Sequence, residues 1–243
     1  MTDTLTLVNA GDCAFGVVFG ETITPAVNAR VQALHRLLCA KAVEFPGLIE
    51  SVPGFTTLLI HYDPLLTGRA ELEPRLRALL AEASAEPAQG RAWRLPVCYQ
   101  GSPDLDAVAR ATGLSAAEVS ARHEQGRYVV YMLGFLPGFA YLGDLDPALA
   151  LPRRAEPRLT VPAGSLAITE RLTAVYPWES PGGWHLIGHC PVPLFNASRA
   201  SPALLAPGDQ LRFFAVSRAE HEAWVRRVAE PGFDPGDLID GAP

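Results

Sequence analysis

Lysine is almost missing from this chain: among 243 residues Lys41 is the only one, and the other permanently charged basic residues are arginines. A G-x-x-x-x-G-K-[ST] phosphate loop needs a lysine preceded by glycine, whereas Lys41 lies in Cys39-Ala40-Lys41-Ala42, so the chain carries no such loop. A Ser-Ser-Lys amidase arrangement or a lysine Schiff base would have to use Lys41, in a segment that reads as helix. The four cysteines, Cys13, Cys39, Cys98 and Cys190, form no C-x-x-C pair, which argues against a zinc ribbon or a redox motif. They read as reduced, mostly buried thiols. Charge of one sign is never concentrated: the net charge is -6 with both signs mixed along the chain, which leaves no basic patch for a nucleic-acid backbone. The start, MTDTLTLVNAGD, lacks the basic and apolar regions of a secretion signal, and the uncharged run 128–143 is interrupted by Pro137. A cytoplasmic protein with neither nucleic-acid nor membrane partners is expected.

What the chain does contain is enough apolar material, 49% of its residues, to bury a core without staples. Residues 5–9 and 14–19 read as a hairpin around Gly11-Asp12. Thr24-Pro25 is a helix start, with Val27, Val31, Leu34 and Leu38 at helical spacing. Strands at 48–52 and 56–62 flank a Pro53-Gly54 turn, and 69–84 returns to a helical pattern through Leu72, Leu76, Leu79 and Leu80. This predicts a small α+β sandwich over residues 1–88. The aperiodic AEPAQG at 85–90 is the candidate junction to a second domain, 89–243. That domain opens with two helices expected on the surface, one begun at Ser102-Pro103 and closed by Gly113, the other begun by the Ser115-x-x-Glu118 capping box. From Tyr128 the texture changes to short β-rich runs, at 128–133, 165–169, 173–176, 184–188 and 211–216, which predicts a closed or nearly closed barrel. A last helix is expected over 219–228, with Ser217 and Glu220 as its capping box.

Three segments dense in proline and glycine carry the candidate chemistry: 134–143 (GFLPGFAYLG), 152–165 (PRRAEPRLTVPAGS) and 176–184 (YPWESPGGW). Glycine lets a backbone approach a ligand, and proline fixes loop shape before binding. The expected groove therefore takes Phe135, Pro137, Gly138, Phe139, Tyr141, Pro162, Gly164, Tyr176, Gly182, Gly183 and Trp184 as walls, beside Trp178. Arg153, Arg154 and Arg158 are the candidate anion holders, Arg153 among the substrate-binding residues and Arg158 in the catalytic set, because a guanidinium fork matches carboxylate or phosphate. His123 is a candidate proton-transfer group, with helix capping as its alternative. Ser165 lies in A-G-S-L-A, not in a G-x-S-x-G nucleophile elbow, so it reads as a hydrogen-bonding member of the catalytic set. His185 and His189 invite a metal reading, but on a strand their Cα atoms are about 13 Å apart, at about 3.3 Å per residue, which is too far to share one ion. No metal is expected.

The ordered runs G-F-x-P-G-F-x-Y-L-G, P-R-R-x-x-P-R-x-x-V-P-A-G-S and S-P-G-G-W-x-L-I-G resemble the carboxyltransferase-related family containing the B subunit of 5-oxoprolinase. That family also holds the Kip inhibitor of a sporulation kinase and proteins labelled allophanate hydrolase subunit 1. Residues 54–64 and 103–123 share the likeness, which spans about 5–216. The resemblance implies a ferredoxin-like α+β domain followed by a cyclophilin-like β-barrel. It also implies C-subunit-like and A-subunit-like partners, and ATP used by the complex to open the small-molecule lactam 5-oxoproline to glutamate. No biotin is expected on this chain, since Lys41 follows Ala40 rather than methionine. Two other functions fit the same family: a histidine-kinase inhibitor without chemistry, or a carboxyltransferase-related subunit in urea degradation. The chain departs from the family pattern at Glu170, Leu172 and Ala174, in place of Gly, Gln and Gly, and at His189 and Cys190, in place of Arg and Thr. An amide and an obligate charge are thereby exchanged for other groups.

Overall fold

The first two β-rich runs of the chain pair with each other ahead of the first helix in sequence. The structure, a computed structural model, describes residues 6–82 and 90–239. β1 (Thr6–Asn9) and β2 (Ala14–Val18) are antiparallel, with Thr6 opposite Val18. Thr24 caps α1 (Pro25–Ala40) by accepting from the Val27 N–H, and Pro25 opens the helix at the position where its missing N–H costs nothing. β3 (Leu48–Pro53) and β4 (Thr57–Tyr62) follow, then α2 (Arg69–Glu82). The sheet order is β1-β2-β4-β3. Strand β4 alternates in burial and sends Leu58, Ile60 and Tyr62 into a core with Val31, Leu34 and Leu38 of α1 and Leu72, Leu76 and Leu79 of α2. Burying each such aliphatic side chain stabilises the unit by about 1.5–3 kcal/mol. The expected end of α2 at Ser84 and the segment 85–89 lie outside the described residues.

The chain divides into two compact units, 1–89 and 90–243. In the second, β5 (Ala92–Val97) leads to α3 (Leu105–Thr112) and α4 (Ala116–Gln125). Helix α3 starts two residues later than Ser102-Pro103 suggests, with Asp104 at its N-cap, and ends on Gly113 at φ 73°. The Ser115–Glu118 capping box forms as read, both hydrogen bonds being present. The surface expectation for these helices needs correcting. Each is amphipathic, and Leu105, Val108, Val119 and His123 are buried against the barrel.

Then come β6 (Tyr128–Leu133), β7 (Ala140–Gly143), β8 (Arg158–Val161), β9 (Ser165–Thr169), β10 (Leu172–Val175), β11 (Ser180–Gly182), β12 (His185–His189) and β13 (Gln210–Ala215). The last helix, α5 (Arg218–Val228), carries the Ser217–Glu220 capping box. Seven strands form one sheet in the order β12-β9-β10-β7-β6-β13-β5, while β8 and β11 make a separate two-stranded ribbon. The outermost strands meet through reciprocal Cys98 and His189 main-chain hydrogen bonds of 3.0 and 2.9 Å, so the sheet is a nearly closed barrel. One face of its strands supplies the main core, including Leu95, Val130, Leu142, Ile168, Ile187 and Phe213. Because side chains alternate along a strand, Ala167, Ala174 and Leu186 face the other way. They pack with Val161, Phe139, Tyr176 and Trp184 in a second cluster. The candidate site is built on that outer face.

Candidate functional site

The segment 134–143 folds back on itself before entering β7: Gly134 donates to the Phe139 carbonyl and Phe139 to that of Leu136. The tight path places Phe135 at φ 68°, a left-handed conformation that costs a non-glycine residue about 1–3 kcal/mol. The strained residue is 61% exposed, its ring edge-on to Phe139 at 5.5 Å. Phe139 in turn meets Tyr176 at 5.2 Å and Trp184 at 5.9 Å, both edge to face. These rings wall a recess of about 300 Å³, with Gly182-Gly183 and the Arg153-Arg154 pair completing it. Seven of the expected wall residues line this one recess, Phe135, Phe139, Tyr141, Tyr176, Gly182, Gly183 and Trp184, together with the anion-holder candidate Arg153. Pro137 and Gly138 do not. The Pro137 carbonyl accepts from the Trp178 indole at 3.0 Å, and Gly138 lies against Leu194 and Phe195.

The three arginines separate into distinct roles. Arg153 makes no hydrogen bond or ion pair among the described residues, so its cation is free to meet a ligand. Arg154 lines the recess and donates to Asp104 Oδ1 at 3.1 Å. Arg158 donates to the same oxygen at 2.6 Å, and Asp104 Oδ2 accepts the Leu186 N–H at 2.7 Å. The carboxylate is nearly fully buried. Burial alone would raise its pKa; the Arg158 and Leu186 hydrogen bonds and the two guanidinium charges outweigh that and hold it below the ordinary carboxylate value. Arg158 commits Nη2 to this internal ion pair, leaves its buried Nη1 without a hydrogen-bond partner among the described residues, and does not line the recess, which corrects its expected catalytic place.

His123 also needs correction. It is fully buried, stacked on Tyr128 at 5.2 Å. Thr173 Oγ1 donates to the Ala167 carbonyl, so toward His123 it accepts from Nε2–H at 3.0 Å. Nδ1 is then the acceptor for the Tyr99 hydroxyl at 2.8 Å. Every ring position is satisfied in the neutral form, and burial lowers the pKa to about 3. With no solvent-facing nitrogen, this imidazole cannot pass a proton to a ligand in the recess.

Ser165, Pro162 and His189 belong to a neighbouring recess, also about 300 Å³, shared with Cys98, Gln100, Arg218 and His221. Gly164 is shaped by this arrangement rather than by a ligand. At φ +80° a Cβ there would lie 2.6 Å from the His189 ring. His185 and His189 are on β12 as expected but turn to separate partners, His185 Nε2 to the Pro152 carbonyl and His189 to Ala163 and His221. Among the departures from the family pattern, Glu170 occupies a turn at φ 48°, where glycine is favoured. Leu172 and Ala174 pack in the outer cluster. Cys190 is buried, its thiol pushed up to about 12 by desolvation. Cys98 is buried as well, whereas Cys13 and Cys39 are exposed, so the reading of mostly buried thiols holds for half of them.

Asp104 and His221 were not among the residues that sequence reasoning selected. In sequence Asp104 simply follows the Ser102-Pro103 helix start, and nothing in its neighbourhood announces partners at 154, 158 and 186. His221 is a lone histidine on an amphipathic helix.

Fold and site together define a mixed α/β chain with a nearly closed seven-stranded barrel and an arginine-flanked aromatic recess on its outer face. The family described as carboxyltransferase domain, subdomain C and D, matches residues 5–205, and the chain belongs to it. The 5-oxoprolinase B subunit of Bacillus subtilis (strain 168) is 38% identical over 240 residues, covering 92% of this chain and 98% of that protein. The protein of the same name from Escherichia coli O157:H7 is 42% identical over 206 residues, 81% of this chain and 93% of its own. Among solved structures, TTHA0988 superposes with a TM-score of 0.75 at 39% identity, over 84% of this chain and 40% of that one. The K. lactis urea amidolyase shares the fold, with a TM-score of 0.74 at 22% identity over 91% of this chain and 15% of its own. No helix among the described residues is long and apolar enough to cross a membrane.

Proposed function

We propose that this chain is the B subunit of an ATP-dependent 5-oxoprolinase, acting in the cytoplasm with C-subunit-like and A-subunit-like partners to open 5-oxoproline to glutamate. The observation that carries the reading is the aromatic recess with Arg153 uncommitted at its side, in a chain that covers nearly the whole length of two proteins named as 5-oxoprolinase B subunits. In this reading the first unit is ferredoxin-like, through the run β2-α1-β3-β4-α2, and the second is cyclophilin-like, with the boundary at 88/89.

The substrate is a small flat lactam bearing one carboxylate. Edge-to-face aromatic walls suit the ring, and Arg153, seconded by Arg154, suits the carboxylate through charge-assisted hydrogen bonds. Arg158 is a positioning residue, because it and Arg154 share Asp104, whose burial fixes the recess wall. An amide is a poor electrophile, so ring opening needs activation. The assembled complex supplies this with ATP. Lys41, the only lysine, is not in a phosphate loop, so ATP binding is not assigned to this chain. Phe135 at the recess is exposed, as are Leu159 and Trp178, each two residues along the chain from the lining residues Pro157 and Tyr176. An apolar rim of this kind is suited to a partner subunit that covers the bound substrate and excludes water.

The test is reconstitution with the C-like and A-like proteins, followed by measurement of 5-oxoproline-dependent ATP hydrolysis. Arg153→Ala should lower kcat/KM for 5-oxoproline by about tenfold or more, the usual scale for losing a charge-assisted contact. A folded complex whose ATP hydrolysis ignores 5-oxoproline would falsify the proposal and favour the kinase-inhibitor or urea-degradation functions.

A further inference from the structure

The second recess has the features of a binding site in its own right. Ser165 and His189 are directly opposite each other on β9 and β12, so their side chains share the outer face. Ser165 is only 6% exposed, and its hydroxyl, lining the recess, makes no hydrogen bond among the described residues. The hydroxyl opens to the recess and is available to donate to a bound acceptor. His189 Nε2 faces the Ala163 carbonyl at 3.1 Å, and a carbonyl can only accept, so Nε2 carries the proton. His189 Nδ1 must then accept from His221 Nε2–H at 2.8 Å, which leaves His221 Nδ1 as the one ring nitrogen of the pair without a partner. Arg218, at the first turn of α5, has no ion pair or hydrogen bond among the described residues. Its guanidinium lies over Gly101, where a Cβ would come within 2.9 Å of Nη2. Gly101 and Gly164 thus make room for Arg218 and His189.

From this geometry we infer that the recess formed by Ser165, His189, His221, Arg218 and Gln100 binds a small oxyanion, a carboxylate or a phosphoryl group. The donors are a guanidinium fork, a hydroxyl, a side-chain amide and an imidazole pair that gains an N–H on protonation. Among the described residues no carboxylate lines the recess. Asp104, whose Oδ2 accepts from the lining residue Leu186, is paired with Arg154 and Arg158; on α5, Glu220 is held in the capping box by Ser217, and Glu222 is next to His221 without lining the recess. Burial, and for His189 the neighbouring His221, keep both rings below the ordinary histidine pKa, so the empty pair is neutral near pH 7 and a bound anion favours its protonation. A volume of about 300 Å³ suits a small molecule rather than a polymer. None of the aromatic recess takes part, so this site stands apart from the proposed lactam-opening role.

The experiment is an NMR titration of the histidine rings in the full-length chain, with inorganic phosphate in one series and acetate in another. Either anion should raise the apparent pKa of His189 and His221 together while leaving buried His123 unmoved. Response to phosphate alone identifies a phosphoryl site, and response to acetate alone a carboxylate site. Arg218→Ala should weaken the response about tenfold and Ser165→Ala should weaken it less. Arg226→Ala, the same charge loss on an exposed position of the same helix, should leave it unchanged. Rings that ignore both anions, or an equal loss in the Arg218 and Arg226 variants, overturn the inference.

Discussion

Between the two recesses, the polar groups are used in opposite ways. Where the aromatic recess meets its neighbour, Asp104 takes two guanidiniums and a main-chain N–H, so Arg154 and Arg158 are held in one place. Beside α5, Ser165, Arg218 and one nitrogen of His221 have no partner among the described residues. Committed charges shape a wall; uncommitted ones are available to a ligand. A buried ion pair is weak as a source of net stability but costly to break, because the partner left behind is a charge without compensation. The wall is therefore expected to fail abruptly when altered, and the open recess to tolerate change.

The largest effect should come from Asp104→Asn, which turns an amide toward three donors and strands two cations. A loss of about 3–5 kcal/mol in urea unfolding is expected, and a loss below about 1 kcal/mol would erase the distinction between the recesses. Because the folded pKa of Asp104 is depressed, its stabilisation is complete above the ordinary carboxylate pKa and fades as pH falls through the folded value. The Asn variant should lack that acid-dependent component. His123 extends the comparison to a fully satisfied group inside the barrel. Its folded pKa of about 3 is below the ordinary 6.5, so the unfolded chain binds a proton in that window and the folded chain does not. Wild-type stability should fall by about 1.4 kcal/mol per pH unit as pH drops below 6.5. In His123→Gln, unfolding midpoints measured across the same range should not show that component. A smaller effect is expected at Gly164. Gly164→Ala places a methyl group against the His189 ring and strains a positive φ, for a cost of about 1–3 kcal/mol. Urea unfolding together with loss of the His189–His221 pairing in NMR spectra would sharpen the view that this loop is shaped around the ring.

Much of this architecture was legible in the residues, and the boundary of legibility is physical. Helices α1, α4 and α5 announce themselves through a proline-led start or a capping box, signals confined to adjacent residues. The aromatic recess was visible because glycine, proline and rings alternate within three short segments. Strands β7, β8 and β11 were not, since they lie inside those same segments, and only pairing with distant strands makes them extended. Asp104 and Arg158 show the same limit at the level of side chains. Their partners are 50 or more residues away, so nothing local separates an anion holder from half of an internal ion pair. His123 was misread because burial of one helix face is decided by what packs on it.

Two main-chain hydrogen bonds between Cys98 and His189 fasten the first and last strands of the barrel at one end. A cylinder stitched so sparingly opens most readily at that stitch, so amide deuterium uptake should begin there, well before it reaches Ile168 on β9. The same residue that ties the stitch reaches toward α5 through its ring. Traffic at the α5 recess would therefore be felt as tightening or loosening of the seam, which makes His189 a hinge between occupancy and breathing.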